Sequence, residues 1–162
     1  FPSHDPMSAK QNGADEVEVV ANYGMLMSKK LPQASFDLKN IIKTADKIDL
    51  PLRLTLLNER FIDKSIKKRF NQIIKTNHIE NICICNEVLE EGIEDNDSVL
   101  FMRTTKMDTG AYTKVSLPNV SPQTFLMYPK AGATLISLPW RNAANIVHSY
   151  EYAIRSQISE DG

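Results

Sequence analysis

Cys83 and Cys85 flank a single isoleucine. On a strand, residues two apart project to the same face, so the two thiols would stand side by side. Two thiolates can begin a zinc site, with His78 close by and His148 further along the chain. A tetrahedral site needs more ligands at fixed spacing, and the chain has no second cysteine pair. A disulfide between residues so close would be strained. The reading is therefore two free thiols packed as small hydrophobes, in a reducing, intracellular, cytoplasmic setting. Glu90, Glu91, Glu94, Asp95 and Asp97 cluster around Gly92 but lack calcium-loop spacing, and read as a solvated acidic turn.

Asp108-Thr109-Gly110-Ala111 resembles the short signature of retroviral-type aspartic proteases, in which paired aspartates share a proton. That family runs an apolar strand into the aspartate, whereas Arg103-Thr104-Thr105-Lys106 stands here. A tight turn over Met107–Gly110 explains Asp108 and Gly110 as well. No G-x-S-x-G, Walker loop, G-x-G-x-x-G or H-E-x-x-H occurs. These residues give no catalytic set, no metal site and no cofactor, and the expectation is a protein that is not an enzyme.

Charge is distributed unevenly. Residues 37–75 hold ten Lys or Arg against five Asp or Glu, a balance of +5. Residues 76–98 hold seven acidic residues and no basic one, and residues 99–141 hold five basic and one acidic. Lys64, Lys67, Lys68 and Arg69 fall between the apolar positions Ile62, Ile66, Phe70 and Ile73. Arg103, Lys106 and Lys114 accompany Tyr112 in the region read as sheet. Cations mixed with aromatics on an open face suit a single-stranded nucleic acid, since phosphates need positive charge and unstacked bases need flat apolar surfaces.

The elements that must position these residues follow from period. Glu16–Met27 alternates as one or two strands. Ser35 caps a helix with Leu38, Ile41, Ile42, Ala45 and Ile48 on one stripe, and Pro51 opens a shorter helix to about Asn58. Ile62–Lys75 is the clearest helix, with Asp63 at its start. Strands are then expected around residues 79–88, 99–105, 112–117, 125–128 and 134–138. Pro139 opens a last helix in which Trp140, Ala144, Val147, Glu151 and Ile154 share the face expected to meet the sheet.

The resulting expectation is an α+β fold: about three helices, an antiparallel sheet of four or five strands, and a C-terminal helix. Residues 1–6 read as a leftover tag, 7–34 as an N-terminal segment with a possible strand, 35–158 as a single domain, and 159–162 as a frayed tail. Strands followed by one long helix are similar in architecture to Whirly-like single-stranded DNA-binding modules over about the last eighty residues. The function expected is non-enzymatic binding of single-stranded nucleic acid or RNA through Lys64, Lys67, Lys68, Arg69, Arg103, Lys106, Tyr112 and Lys114. The alternative is a self-assembling structural or scaffolding protein, a viral or secretion-system component, that binds a protein partner or further copies of itself through segregated charge. No run of residues is long and apolar enough to span a membrane.

Overall fold

Leu52–Leu57 has leucine at residues 52, 54 and 56, with Arg53 and Thr55 between them, which is the period of a strand. This strand is β2 of five. The others are β1 (Val17–Val20), β3 (Asn81–Cys85), β4 (Tyr112–Ser116) and β5 (Leu135–Ser137). The computed structural model describes residues 6–21, 23–27, 31–59, 62–86 and 96–160. Within it the strands form one sheet in the order β1-β2-β3-β4-β5, and every neighbouring pair is parallel.

Parallel neighbours cannot be joined by a hairpin, so each pair requires a crossover. Helices α2 (Tyr23–Met27) and α3 (Leu31–Lys47) lie between β1 and β2, and α4 (Lys64–Thr76) between β2 and β3. Helix α5 (Asn96–Thr109) lies between β3 and β4, and α6 (Pro122–Ala131) between β4 and β5. Helix α1 (Pro6–Gln11) precedes β1, and α7 (Trp140–Glu160) follows β5. The fold is α/β, and the expected α+β arrangement with an antiparallel sheet is overturned by this alternation. The architectural likeness to Whirly-like modules falls with it.

Four misassigned segments account for the error, the first being Tyr23–Met27, read as strand and found as helix α2. Residues 52–57 are strand, not a helix opened by Pro51. Residues 99–105 belong to α5, where Ser98, Phe101, Met102 and Thr105 are all buried at helical spacing. Two of those four are polar, which hid the stripe. The expected turn over Met107–Gly110 is the end of the same helix. Residues 125–128 belong to α6, opened by Ser121 as N-cap with Pro122 in its first turn and closed by Gly132 at φ 109°. Pro122 opens a helix, whereas Pro51, read as a helix opener, precedes a strand.

The sheet has two unlike faces. Leu54, Leu56, Ile82, Ile84 and Val115 share one face and pack in a single core with Ile66, Phe70, Ile73 and Ile74 of α4, Phe101 and Met102 of α5, and Tyr128 of α6. Phe70, Leu56 and Ile82 are fully buried. Val17, Ala45 and Leu50 form a smaller cluster at one end of this layer. Asp63 caps α4: its Oδ1 accepts from the backbone N–H of Ser65 at 2.8 Å and of Ile66 at 3.1 Å. Helix α7 differs from expectation in orientation. Of residues 140–151, Ile146 is buried, whereas Trp140 and Val147, on the face expected to meet the sheet, are 74% and 57% exposed. No helix among the described residues is long and apolar enough to cross a membrane.

Candidate active site on the polar face of the sheet

The other face of the sheet carries the side chains that alternate with the leucines and isoleucines. Strand register arranges them in rows. Glu18, Arg53, Asn81 and Tyr112 form one row, and Val20, Thr55, Cys83, Lys114 and Leu135 the next. Leu57, Cys85, Ser116 and Ser137 form a third row toward the C-terminal ends of the strands. Polar groups gathered on one strand face are candidates for binding or chemistry.

Two ionic contacts organise the face. Arg53 grips Glu16 with both ends of its guanidinium, Nε and Nη2 each donating at 2.8 Å to one carboxylate oxygen. Its Nη1 donates to Ile82 O at 3.3 Å. The Arg53 hydrogen bonds hold the Glu16 carboxyl below the usual carboxylate range, and Lys114 adds to the effect. Glu18 accepts from Thr55 Oγ1 at 2.5 Å and lies 3.6 Å from Lys114 Nζ. Its carboxylate and the Lys114 ammonium reach toward one another over Thr55 and Cys83, which are each 1% exposed. The Cys83 thiol is pushed up to about 11 by burial and by the Glu18 charge, so it stays protonated and unreactive at neutral pH.

A second polar group lies beyond the C-terminal ends of β2 and β3. Glu59, fully buried, accepts from Ser98 Oγ at 2.5 Å and pairs with Lys67. Asn86 Nδ2 donates to Ser98 Oγ at 3.4 Å, and the Asn86 backbone N–H donates to Ser116 O. Lys67 Nζ also stands 4.8 Å from the centre of the Phe101 ring. This network ties β2, β3, α4 and α5 together at the end of a parallel sheet where loops normally carry function.

The residues expected to bind nucleic acid are distributed over both layers. Lys64 and Lys68 are exposed on α4, while Lys67 is engaged by Glu59 and Arg69 donates to Leu26 O at 2.7 Å. Arg103 is exposed on α5. Lys106 donates to Ala111 O and lies 5.0 Å over the Tyr112 ring. Tyr112 and Lys114 project from the polar face, on the opposite side of the sheet from α4. Lys114 alone of the eight meets a carboxylate on that face.

Other motifs resolve simply. Asp108 sits in the last turn of α5 and pairs with Lys75 at 2.7 Å, which holds its carboxyl low. Neither cysteine is in a disulfide, and both face the same side of β3. Among the described residues, no group of three or more His, Cys, Asp or Glu side chains is placed to hold a metal ion. Of the expected acidic turn, Glu90, Glu91, Glu94 and Asp95 lie outside the described residues, and Asp97 is in the first turn of α5.

No protein-family model matches the chain, and no curated protein matches its sequence. Solved structures do. "QR15, an Aldolase" superposes with a TM-score of 0.65 at 17% identity, over 94% of this chain and 65% of its own. The provisionally named phosphonomutase of Burkholderia cenocepacia J2315 gives 0.58 at 8% identity, over 94% and 61%. The chain shares their fold. It spans less than two thirds of the length of either. The expectation of a non-enzymatic nucleic-acid-binding or scaffolding protein is corrected by this result: the structures that share the fold are named an aldolase and a phosphonomutase, and among the described residues the sheet is all parallel, with no antiparallel platform to receive unstacked bases.

Glu18, Thr55 and Arg53 were not picked out from sequence. Arg53 and Thr55 fell in a segment read as helix. Glu18 sat in a correctly read strand, yet its facing strands were unknown. The available signal was a polar residue at every second position in or beside several strands: Glu16-Val17-Glu18, Arg53-Leu54-Thr55 and Lys114-Val115-Ser116.

Proposed function

We propose that the chain is an enzyme, or the site-bearing part of one, that acts on a small carbonyl compound through Lys114. The observation that carries the reading is the Glu18–Lys114 contact on the polar face of a parallel sheet. A lysine amine attacks a carbonyl carbon to give a carbinolamine, and loss of water gives an iminium. The attack requires a neutral amine, and Glu18 is the carboxylate placed to take the ammonium proton. The same carboxyl can return that proton to the departing hydroxyl and then remove a proton from the carbon next to the iminium. Thr55 fixes the carboxylate by donating to it. Cys83, protonated beneath the pair, serves as a neutral floor and not as a rival nucleophile. The fold shared with a protein named an aldolase supports carbonyl chemistry on this face.

The test is reductive trapping. Glycolaldehyde or hydroxyacetone with borohydride should add a stable mass to one peptide, that of Lys114, and Lys114→Met should abolish it. Adducts spread over surface lysines, with none at Lys114, overturn the reading.

The two free thiols support a reducing, intracellular compartment. Association with a protein partner or another copy remains part of the proposal, because β1 and β5 each pair on one side only among the described residues. Exposed strand edges are templates for further pairing.

A further inference from the structure

Arg53 stands beside two carboxylates and is held by one of them. Its Nε and Nη2 are committed to Glu16, and its Nη1 to Ile82 O. In the sheet register its direct neighbour on β1 is nevertheless Glu18. Side chains opposite one another on paired strands start about 5 Å apart, so a guanidinium at residue 53 can reach the residue 18 carboxylate. Glu18 is instead engaged by Thr55 and Lys114. Arg53 is 7% exposed, too little for water to satisfy its charge, and a buried guanidinium takes whichever carboxylate is nearest.

We infer that Glu16 is a positioning residue, which occupies Arg53 and so leaves Glu18 committed to Lys114. The charged or titratable groups facing Glu18 among the described residues are Arg53 from β2, Cys83 from β3 and Lys114 from β4. Cys83 is neutral, so the allocation is a contest between two cations for two carboxylates. Glu16 decides it by a two-point grip whose geometry a lysine could not reproduce. Removing Glu16 releases Arg53 onto Glu18, and Lys114 loses its counter-charge. Removing Arg53 leaves both carboxylates to Lys114.

The inference rests on the proposed role of Lys114, but its test does not require a substrate. Acetic anhydride acylates neutral amines, and mass spectrometry reads the rate at Lys114 as a function of pH in the full chain. In Glu16→Gln the Lys114 profile should move to lower pH by about one unit, about tenfold faster labelling on the rising limb. In Arg53→Met it should move the opposite way, and the double variant should return close to wild type. A Glu16 that acts only through its own charge on Lys114 would move the midpoint equally in a Glu18→Gln background, so a shift that persists there, or an unmoved Glu16→Gln profile, overturns the inference. Should Glu16→Gln fail to fold, Arg53→Met and the double variant decide: a profile that Arg53→Met does not raise, or that the double variant does not restore, overturns it equally. Failure of carbonyl trapping with these shifts present would reject the chemistry and leave the charge allocation standing.

Discussion

Lys114 Nζ lies 3.6 Å from Glu18 Oε2, although the two residues stand on the fourth and first strands of the sheet. Three strand spacings of about 4.8 Å separate their backbones. The side chains close that gap by leaning over Thr55 and Cys83. If the pair acts as proposed, Glu18→Gln keeps the shape and the Thr55 contact but cannot accept a proton. Trapping of glycolaldehyde at Lys114 should then slow by about 100-fold or more. An unchanged rate would assign proton transfer to another group.

Cys83 gives a prediction with a definite sign. Its thiol is raised from an ordinary value of 9.0 to about 11 in the folded protein. The folded state therefore holds this proton more tightly than the unfolded state. The contribution to stability is complete below about pH 9 and is lost as pH rises through about 11. Urea midpoints should fall across that window, and Cys83→Ala should reduce the fall. Iodoacetamide at pH 7.5 should leave Cys83 unmodified until the chain is unfolded; rapid labelling of the folded protein contradicts the burial.

The buried Glu59 carboxylate depends on Lys67 and Ser98. Lys67→Met removes the cation and leaves a buried charge, which should cost about 3 kcal/mol in urea unfolding. Glu59→Gln in the Lys67→Met background should recover part of that loss, because an amide is cheaper to bury than an unpaired carboxylate. Additive losses would show that the two side chains do not interact.

Trp140 is the chain's only tryptophan and is 74% exposed. Iodide should quench its fluorescence nearly as well in the folded as in the urea-unfolded protein. Strong protection in the folded state would mean that another surface covers the start of α7.

Acid should weaken the Arg53 grip. Glu16 titrates below its ordinary value of 4.5 because Arg53 holds its ionised form. Its contribution is present above that value and is lost as pH falls below it, through the lowered folded-state value. Glu16→Gln should flatten the acid limb of stability below pH 4.5, as followed by circular dichroism.

Legibility was uneven along the chain, for local reasons. Helix α4 was readable because Ile62, Ile66, Phe70 and Ile73 repeat at helical spacing with lysines between them. Strands β3 and β4 were readable from Ile82 and Ile84, and from Val115 and Leu117. Helix α5 was not, because half of its buried stripe is Ser98 and Thr105, while Leu100 and Met107 point to water. Helix α7 was found, yet its exposed apolar side was taken for the buried one. Lys114 was singled out, but for phosphate contact, since a lone sequence position carries no information about which carboxylate faces it.

Sequence by itself determined which segments could be regular, that the chain could bury a core, and that no familiar motif carries its chemistry. Hydrophobic period is a local property, set by residues a few positions apart, and it survives without knowledge of the fold. Strand direction, strand order and the meeting of Glu18 with Lys114 were decided only in three dimensions. They depend on crossovers that bring residues nearly a hundred positions apart onto one face of the sheet, and no local pattern encodes that distance.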